Sequence, residues 1–324
     1  MPKKRLCITR QFPNDVMERA MQDYDCFLND TGCLLTPSDL LTLAEGVDGI
    51  LCSSSDKFDE YIIQNLSGTV RIISTFSVGH EHINLPIAGT KGITITNTPD
   101  VLTESTADTA ILLLLAAARR AREALHMISS GNWTGWTPTQ LLGIQPGGRR
   151  LGILGMGRIG CAVADRARSF GMEIHYYNRN KLPPSLEKDA TYHNSYKDLF
   201  NVSDFLSINC QMTSETKKLI NHDTIELFPK DAVIINTSRG GVIDDNALIH
   251  ALKSGRIAAV GLDVFEGEVV KIKDLKGSVS SVVFSDGYEL FCDAAILTCG
   301  TFLNGLIHIG EKKIKAGRLD EKRS

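Results

Sequence analysis

Residues 151–160 read LGILGMGRIG, and the fold turns on this stretch. The apolar run LGIL has a strand pattern, Gly155-Met156-Gly157-Arg158-Ile159-Gly160 follows it, and RIGCAVADRARSF continues as a helix. A dinucleotide site needs glycine at these three positions because the chain must turn tightly, admit a pyrophosphate to its backbone, and pack the new helix closely on its strand. The helix start then turns unpaired N–H groups toward the phosphates. A GxGxxG alone is a weak signal, and its bland counterpart is a glycine-rich turn. Here a second strand, MEIHYYNR, ends about twenty residues further on and completes the βαβ unit.

The end of that second strand selects the cofactor. An acidic residue there would accept from both adenosine-ribose hydroxyls and repel a 2'-phosphate, but the chain reads Asn178-Arg179-Asn180-Lys181. Two cations and no carboxylate favour the phosphorylated cofactor: Arg179 can pair with phosphate through its planar fork and Lys181 is expected to meet it too, so NADP is expected ahead of NAD. The alternative is that Arg179 is a solvated surface residue.

Working outward, strands are expected at LGILG, MEIHYY, DFLSIN, AVIINT and AAVGLD, a βα series from Arg150 to Asp263. A separate series precedes it, with LCIT, DGILC, VRIIS and GITIT alternating with helical segments from Leu6 to Asn97. Thr36 followed by Pro37 and Asp39 reads as a helix N-cap. Between the series, Glu104 to Ser129 reads as one helix of about 25 residues, some 37 Å long, that bridges two domains. The fold class is α/β with two doubly wound parallel sheets: residues 1–99, residues 100–268 including the bridging helix, and a tail, 269–324. The cleft between two such domains is a usual place for a small ligand.

At 324 residues the chain suits two domains, and Lys plus Arg at 35 against Asp plus Glu at 38 leave no basic field for nucleic acid or an anionic membrane. Its eight cysteines show no CxxC spacing and read as free thiols of a reducing compartment. No apolar run approaches spanning length, so a cytoplasmic protein without membrane contact is expected.

The second series carries reactive groups. Thr237, Ser238 and Arg239 follow the strand AVIIN, and Asp263, Glu266 and Glu268 follow AAVGL, at the sheet edge where ligands sit. An arginine there suits the carboxylate of an oxo or hydroxy acid. With FSVGHEHINLP, NTPDVLTESTADTAILLLLAAARR, LGILGMGRIG, NTSRGGVIDDNAL and AAVGLDVFEGE, the chain from Leu6 to Glu268 closely resembles the D-isomer-specific 2-hydroxyacid dehydrogenases, in particular the glyoxylate/hydroxypyruvate reductase branch. The resemblance implies a flavodoxin-like substrate domain and a Rossmann dinucleotide-binding domain. It further implies that Val78 and Gly79 bind the substrate carboxylate through their N–H groups. Arg239 would hold the carboxylate and carbonyl oxygen, and Glu268 would partner a catalytic histidine. Thr106 would touch the nicotinamide, Arg158 and Ile159 the pyrophosphate, and Asp263 the carboxamide. Asn178 and Thr237 are assigned to the cofactor with them. Trp136 would reach a neighbouring subunit's active site in a homodimer. The rival readings are a plain turn at Val78-Gly79, a helix-capping or ion-paired Arg239, and a Trp136 that anchors an interface without touching substrate.

Two departures qualify the resemblance. Gln211 stands where the family usually has proline, which is expected to loosen that loop. After Glu268 the family pattern of proline, loop, Pro-His-Gly-Ser and a returning helix is replaced by Val269 onward, and the one later histidine is His308, in a different context. The segment 269–278 reads as an exposed linker. VVF, Ser285-Asp286-Gly287 and YELF signal a hairpin, and AAILTCGTF a further strand. Residues 279–318 resemble the FAD-binding subunit of the bacterial tRNA wobble-uridine-modifying enzyme, so the tail reads as a foreign segment joined to a truncated dehydrogenase. The tail lacks that protein's flavin motif, and its terminal cations read as a solvated end. Two functions are therefore expected to compete: reduction of glyoxylate or hydroxypyruvate with NADPH, and a fusion remnant that binds the dinucleotide with little turnover for want of a general acid.

Overall fold

The computed structural model describes residues 2–31 and 33–265, and beyond them the backbones of Val269–Leu275, Ser278–Phe284, Glu289–Phe291, Leu306–Ile309 and Lys312–Lys315. The chain divides into two compact units, residues 1–101 with 297–324, and residues 102–296.

The first unit contains β1 (Arg5–Ile8), α1 (Asn14–Asp23), β2 (Asp25–Leu28), α2 (Pro37–Leu43), β3 (Gly49–Cys52), α3 (Glu60–Asn65), β4 (Ile72–Thr75), α4 (Leu85–Thr90) and β5 (Thr94–Thr96). The strands pair in parallel in the order β2-β1-β3-β4-β5, the flavodoxin-like arrangement. Strand β2 was not foreseen because DCFL is short, begins on an exposed Asp25 and lacks alternation. Thr36 caps α2 as expected, accepting from the Asp39 N–H at 3.3 Å. One sheet face buries Ile50, Cys52 and Ile73 against Leu40, Ile62 and Ile63. On the other, Ile8 packs with Phe12, Met17 and Ala20. Beside α1 on that face lies a groove of about 480 Å³ bordered by Leu6, Leu51 and Ile72, the last 37% exposed.

The second unit contains α5 (Thr103–Ala118), α6 (Ala121–Ser129), β6 (Arg150–Leu154), α7 (Arg158–Ser169), β7 (Glu173–Tyr177), α8 (Pro184–Glu187), β8 (Thr191–Tyr192), α9 (Tyr196–Val202), β9 (Phe205–Ile208), α10 (His222–Ile225), β10 (Ala232–Asn236), α11 (Asp245–Lys253) and β11 (Ile257–Leu262). Its parallel sheet runs β11-β10-β9-β6-β7-β8, the doubly wound Rossmann order. The order reverses between β6 and β9, and that reversal opens the crevice described below. Helices α5 and α7 cover one face, with Ala110, Ile111, Leu114, Val163 and Ala167 against Leu151 and Ile153. On the other, Phe200 stacks on Phe228 at 4.7 Å above Leu206, Ile208 and Ile234.

Two expectations are corrected here. The single long helix is two: the Ala118 carbonyl accepts from the Ile144 N–H at 2.8 Å, and Arg120 takes a left-handed φ of +54° before α6 begins. A residue of the loop before β6 thus claims the acceptor that would have continued the helix, while the residue pattern carries on across the break. The presumed linker after Val269 is β12 (Val269–Leu275), antiparallel to β13 (Ser278–Phe284), which pairs in turn with β14 (Glu289–Phe291). Its polar composition hid the alternation of Val270 and Ile272 with Lys271 and Lys273, which is the period of a strand. The expected hairpin is β13 with β14, and this small sheet belongs to the second unit, which runs to Ile296. Strands β15 (Leu306–Ile309) and β16 (Lys312–Lys315) form a further antiparallel pair. The strand read at AAILTCGTF and the hairpin's turn lie outside the described residues. No described helix is long and apolar enough to cross a membrane.

Candidate functional site

Each glycine between β6 and α7 answers a different constraint. Gly155 adopts φ +92°, and a Cβ there would lie 2.7 Å from the Cys210 nitrogen, so it is excluded both by conformation and by the backbone leaving β9. A Cβ on Gly160 would lie 2.6 Å from the Gly155 carbonyl oxygen and 3.1 Å from Ile153 Cγ2, which is the close packing of helix on strand. Gly157 has an ordinary φ of −88°, and a Cβ on it would meet nothing within 4 Å. That open space lies at the N-terminus of α7, where Arg158, Ile159 and Gly160 form the first turn and no side chain caps the N–H groups.

A cavity of about 770 Å³ opens from this turn at the β6/β9 reversal. Asn178 lines it, but its side chain is spent on the glycine loop: Oδ1 accepts from the Met156 N–H at 2.6 Å and Nδ2 donates to the Met156 carbonyl at 3.1 Å. Asn178 therefore holds the loop in shape. Arg179 also lines the cavity, is exposed, and forms no ion pair among the described residues. Lys181 instead sits 3.4 Å from Glu187 and is not part of the lining. Facing them is the loop after β9, which contributes Glu215, the one carboxylate of the lining. Gln211 does not leave this loop untied. The Thr216 hydroxyl donates to the Gln211 carbonyl at 2.7 Å and accepts from the Thr213 N–H at 2.7 Å.

The residues that follow β9, β10 and β11 are Asn209, Thr237 and Asp263, and each buries an oxygen with no hydrogen-bond partner among the described residues: Oδ1, Oγ1 and Oδ1. Buried polar atoms are seldom left so, and three at neighbouring strand ends mark where a polar ligand belongs. A dinucleotide fits these demands, with Gly157 and the α7 turn for its pyrophosphate and the three oxygens for ribose or carboxamide groups. Asn209 and Cys210 escaped the sequence reading; their one signal was position, immediately after a strand at the reversal. Burial pushes the Cys210 thiol up to about 11, so it lines the cavity as a neutral group. Arg239, half-buried, donates from Nη1 to the Ser238 carbonyl at 2.8 Å, and its own carbonyl accepts from Asn236 Nδ2 at 3.0 Å. Asp244, one rival partner for Arg239, caps α11 and lies 3.4 Å from Lys218. Thr106 lies in the first turns of α5, half-buried.

In the first unit, Val78 and Gly79 follow β4. Asn97 Nδ2 donates to the Val78 carbonyl at 2.8 Å and the Ser77 hydroxyl donates to the Gly79 carbonyl at 2.6 Å. With both carbonyls held, the N–H groups of Val78 and Gly79 find no acceptor among the described residues, which suits a carboxylate. Trp136 is 78% exposed on an irregular loop. Glu268 lies outside the described residues, as does the side chain of His308. Among the described residues no histidine lines the cavity; His82 bonds Thr75 at 3.0 Å, and His175 bonds His193 at 2.9 Å, where burial holds both below the ordinary imidazole value.

Residues 111–283 match the D-isomer specific 2-hydroxyacid dehydrogenase, NAD binding domain. The chain is 38% identical over 270 residues to the glycerate dehydrogenase of Hyphomicrobium methylovorum, covering 83% of this chain and 84% of that protein. It is 41% identical over 270 residues to the glyoxylate reductase of Thermococcus litoralis, covering 82% and 81%. The solved glyoxylate reductase from Paecilomyes thermophila superposes with a TM-score of 0.75 at 36% identity, covering 83% of each chain. The chain belongs to the D-isomer specific 2-hydroxyacid dehydrogenase family, and its second unit is the nicotinamide-dinucleotide-binding domain of that family.

The three glycines are separable by experiment. Gly155→Ala and Gly160→Ala should each destabilise the fold by about 1–3 kcal/mol through overpacking. Gly157→Ala should cost under about 1 kcal/mol as a helix-cap change, yet weaken dinucleotide binding by about tenfold or more, since it fills the phosphate's approach. Thermal melts beside fluorescence titration with NADPH check this; a Gly157→Ala protein that binds normally would refute the assignment.

Proposed function

We propose that this protein is an NADP(H)-dependent 2-hydroxyacid dehydrogenase that reduces glyoxylate or hydroxypyruvate. The observation that carries the cofactor choice is Arg179, unpaired among the described residues in the cavity wall, at the strand end where an acidic residue would exclude a 2'-phosphate. When bound, the nicotinamide exchanges a hydride with the carbon bearing the substrate oxygen. The chain's part is to bind and orient: Val78 and Gly79 N–H groups take the carboxylate, and the Arg239 fork holds the carboxylate and the oxygen on which charge develops. Thr106, Thr237 and Asp263 would hold the nicotinamide end, Arg158 and Ile159 the pyrophosphate. Arg179→Ala is expected to reduce the preference for NADPH over NADH by about tenfold, the effect of a charged pair worth ~1.4 kcal/mol. Equal affinities for the two cofactors in the unmodified protein would sink the NADP reading.

A homodimer is part of the proposal. Leu125, Ile128, Trp133, Trp136 and Leu142 are each 57–78% exposed along α6 and the loop that follows, an apolar surface that a second copy would cover. Sedimentation should find a dimer, and Trp136→Asp should shift it toward monomer; a monomeric unmodified protein would end this reading.

The second reading, a fusion remnant with little turnover, is favoured by the replacement of the family's histidine segment from Val269 onward. The resemblance of residues 279–318 to a flavin-binding subunit supports a foreign tail, and it rests on sequence wording alone. Without a general acid, turnover with glyoxylate and NADPH should be lower than in an intact relative by roughly 10²–10⁴, and neither Glu268→Gln nor His308→Ala should change it much. Turnover typical of the family that collapses in either variant would overturn the remnant reading and make the tail part of the enzyme.

A further inference from the structure

On the first unit's sheet three strands end side by side. The Thr9 N–H donates to the Leu51 carbonyl at 3.0 Å, Cys52 pairs with Thr75, and the Phe76 N–H donates to the Cys52 carbonyl at 2.7 Å. Ser55 and Val78 therefore stand three residues past the ends of neighbouring strands, which are spaced by about 4.8 Å.

A polar network fills the β3 side of this edge, in which the buried Arg10 Nε is ion-paired but makes no hydrogen bond among the described residues. Asp56, 4% exposed, accepts from the Thr9 hydroxyl at 2.7 Å, the Ser53 N–H at 2.8 Å and the Ser53 hydroxyl at 3.1 Å, and lies 3.3 Å from Arg10 Nε. Arg10 Nη2 donates to Ser55 Oγ at 2.9 Å, and Ser55 Oγ lies 2.8 Å from Ser53 Oγ. A guanidinium only donates and a carboxylate only accepts, so Arg10 donates to Ser55 and the Ser53 hydroxyl can donate to Asp56, while between the two serines either can be the donor. Ser55 is exposed, and its hydroxyl keeps one free valence: a lone pair when it donates to Ser53, its proton when Ser53 donates to it. Toward a ligand it can accept or donate one hydrogen bond, which a hydroxyl partner can answer either way. The arginine's charge is already matched by a buried carboxylate, so the position suits a neutral hydroxyl better than a phosphate or a second carboxylate.

We propose that Ser55, oriented by Arg10, Ser53 and Asp56, exchanges a hydrogen bond with a hydroxyl on C3 of the substrate, and so selects three-carbon acids bearing that hydroxyl over those without it. The inference rests on the 2-hydroxyacid reading of Val78 and Gly79, which hold the carboxylate one strand away while C3 reaches Ser55.

Calorimetric titration of D-glycerate and D-lactate into the full chain saturated with NADPH measures this without turnover, because cofactor and ligand are both reduced. D-glycerate should bind about tenfold more tightly than D-lactate in the unmodified protein. Ser55→Ala should bring the ratio within about twofold, and Ser55→Thr, which keeps the hydroxyl, should retain most of the preference. Equal binding of the two acids by the unmodified protein, or a ratio unchanged in Ser55→Ala, would overturn the inference alone. No binding of either acid would overturn it together with the proposed substrate class.

Discussion

The close approach of two backbones, at Gly155 and Cys210, is the constraint on which the second unit depends. Strands β6 and β9 are hydrogen-bonded neighbours in the sheet, and the turn that leaves β6 lies against the backbone that leaves β9. Only a residue without a Cβ and with free access to positive φ can stand at that contact. The same turn brings Gly160 against the Gly155 carbonyl, and the start of α7 is thereby aimed into the crevice. Asn178, just after β7, completes the device by bonding both the N–H and the carbonyl of Met156. The turn is therefore held in shape by the protein itself and has little to reorganise when a phosphate arrives.

Both sheets place their unsatisfied polarity at the carboxyl ends of their strands. In the second unit it takes the form of buried oxygens on Asn209, Thr237 and Asp263; in the first, the N–H groups of Val78 and Gly79 beside the Arg10 to Asp56 network. The chemistry differs in sign. The first unit presents backbone N–H groups and a serine hydroxyl, while the second presents buried side-chain oxygens together with the positive end of α7. That division matches a family whose members hold an oxo or hydroxy acid and a dinucleotide at once.

How the site was legible follows the same line. Gly155, Gly157 and Gly160 were readable because glycine is demanded by each position in the motif, whereas the roles expected of Val78, Gly79 and Arg239 come from the family resemblance. Asn209 was not readable, since nothing about an asparagine after an apolar run distinguishes it until the reversal in strand order makes that strand end a crevice wall. In sequence Arg179 and Lys181 both stand as cations at the end of β7. They part company because the chain after β7 turns Lys181 toward Glu187, leaving one cation rather than two in the cavity wall.

By itself the sequence determined the βα rhythm of both sheets, the α2 cap, the glycine turn and the family, because alternation, capping and positive φ are settled within a few residues of chain. Tertiary structure alone decided the break between α5 and α6, the strand character of residues 269–275, and the use of Asn178 as a brace instead of a free ligand. In each case the deciding partner is remote in sequence or outside the motif: Ile144 takes the Ala118 carbonyl, β13 pairs the polar stretch before it, and Met156 meets Asn178 across β6 and β7. A hydrogen-bonding group takes the partner that folding brings within about 3 Å, and local pattern cannot report which distant group that will be.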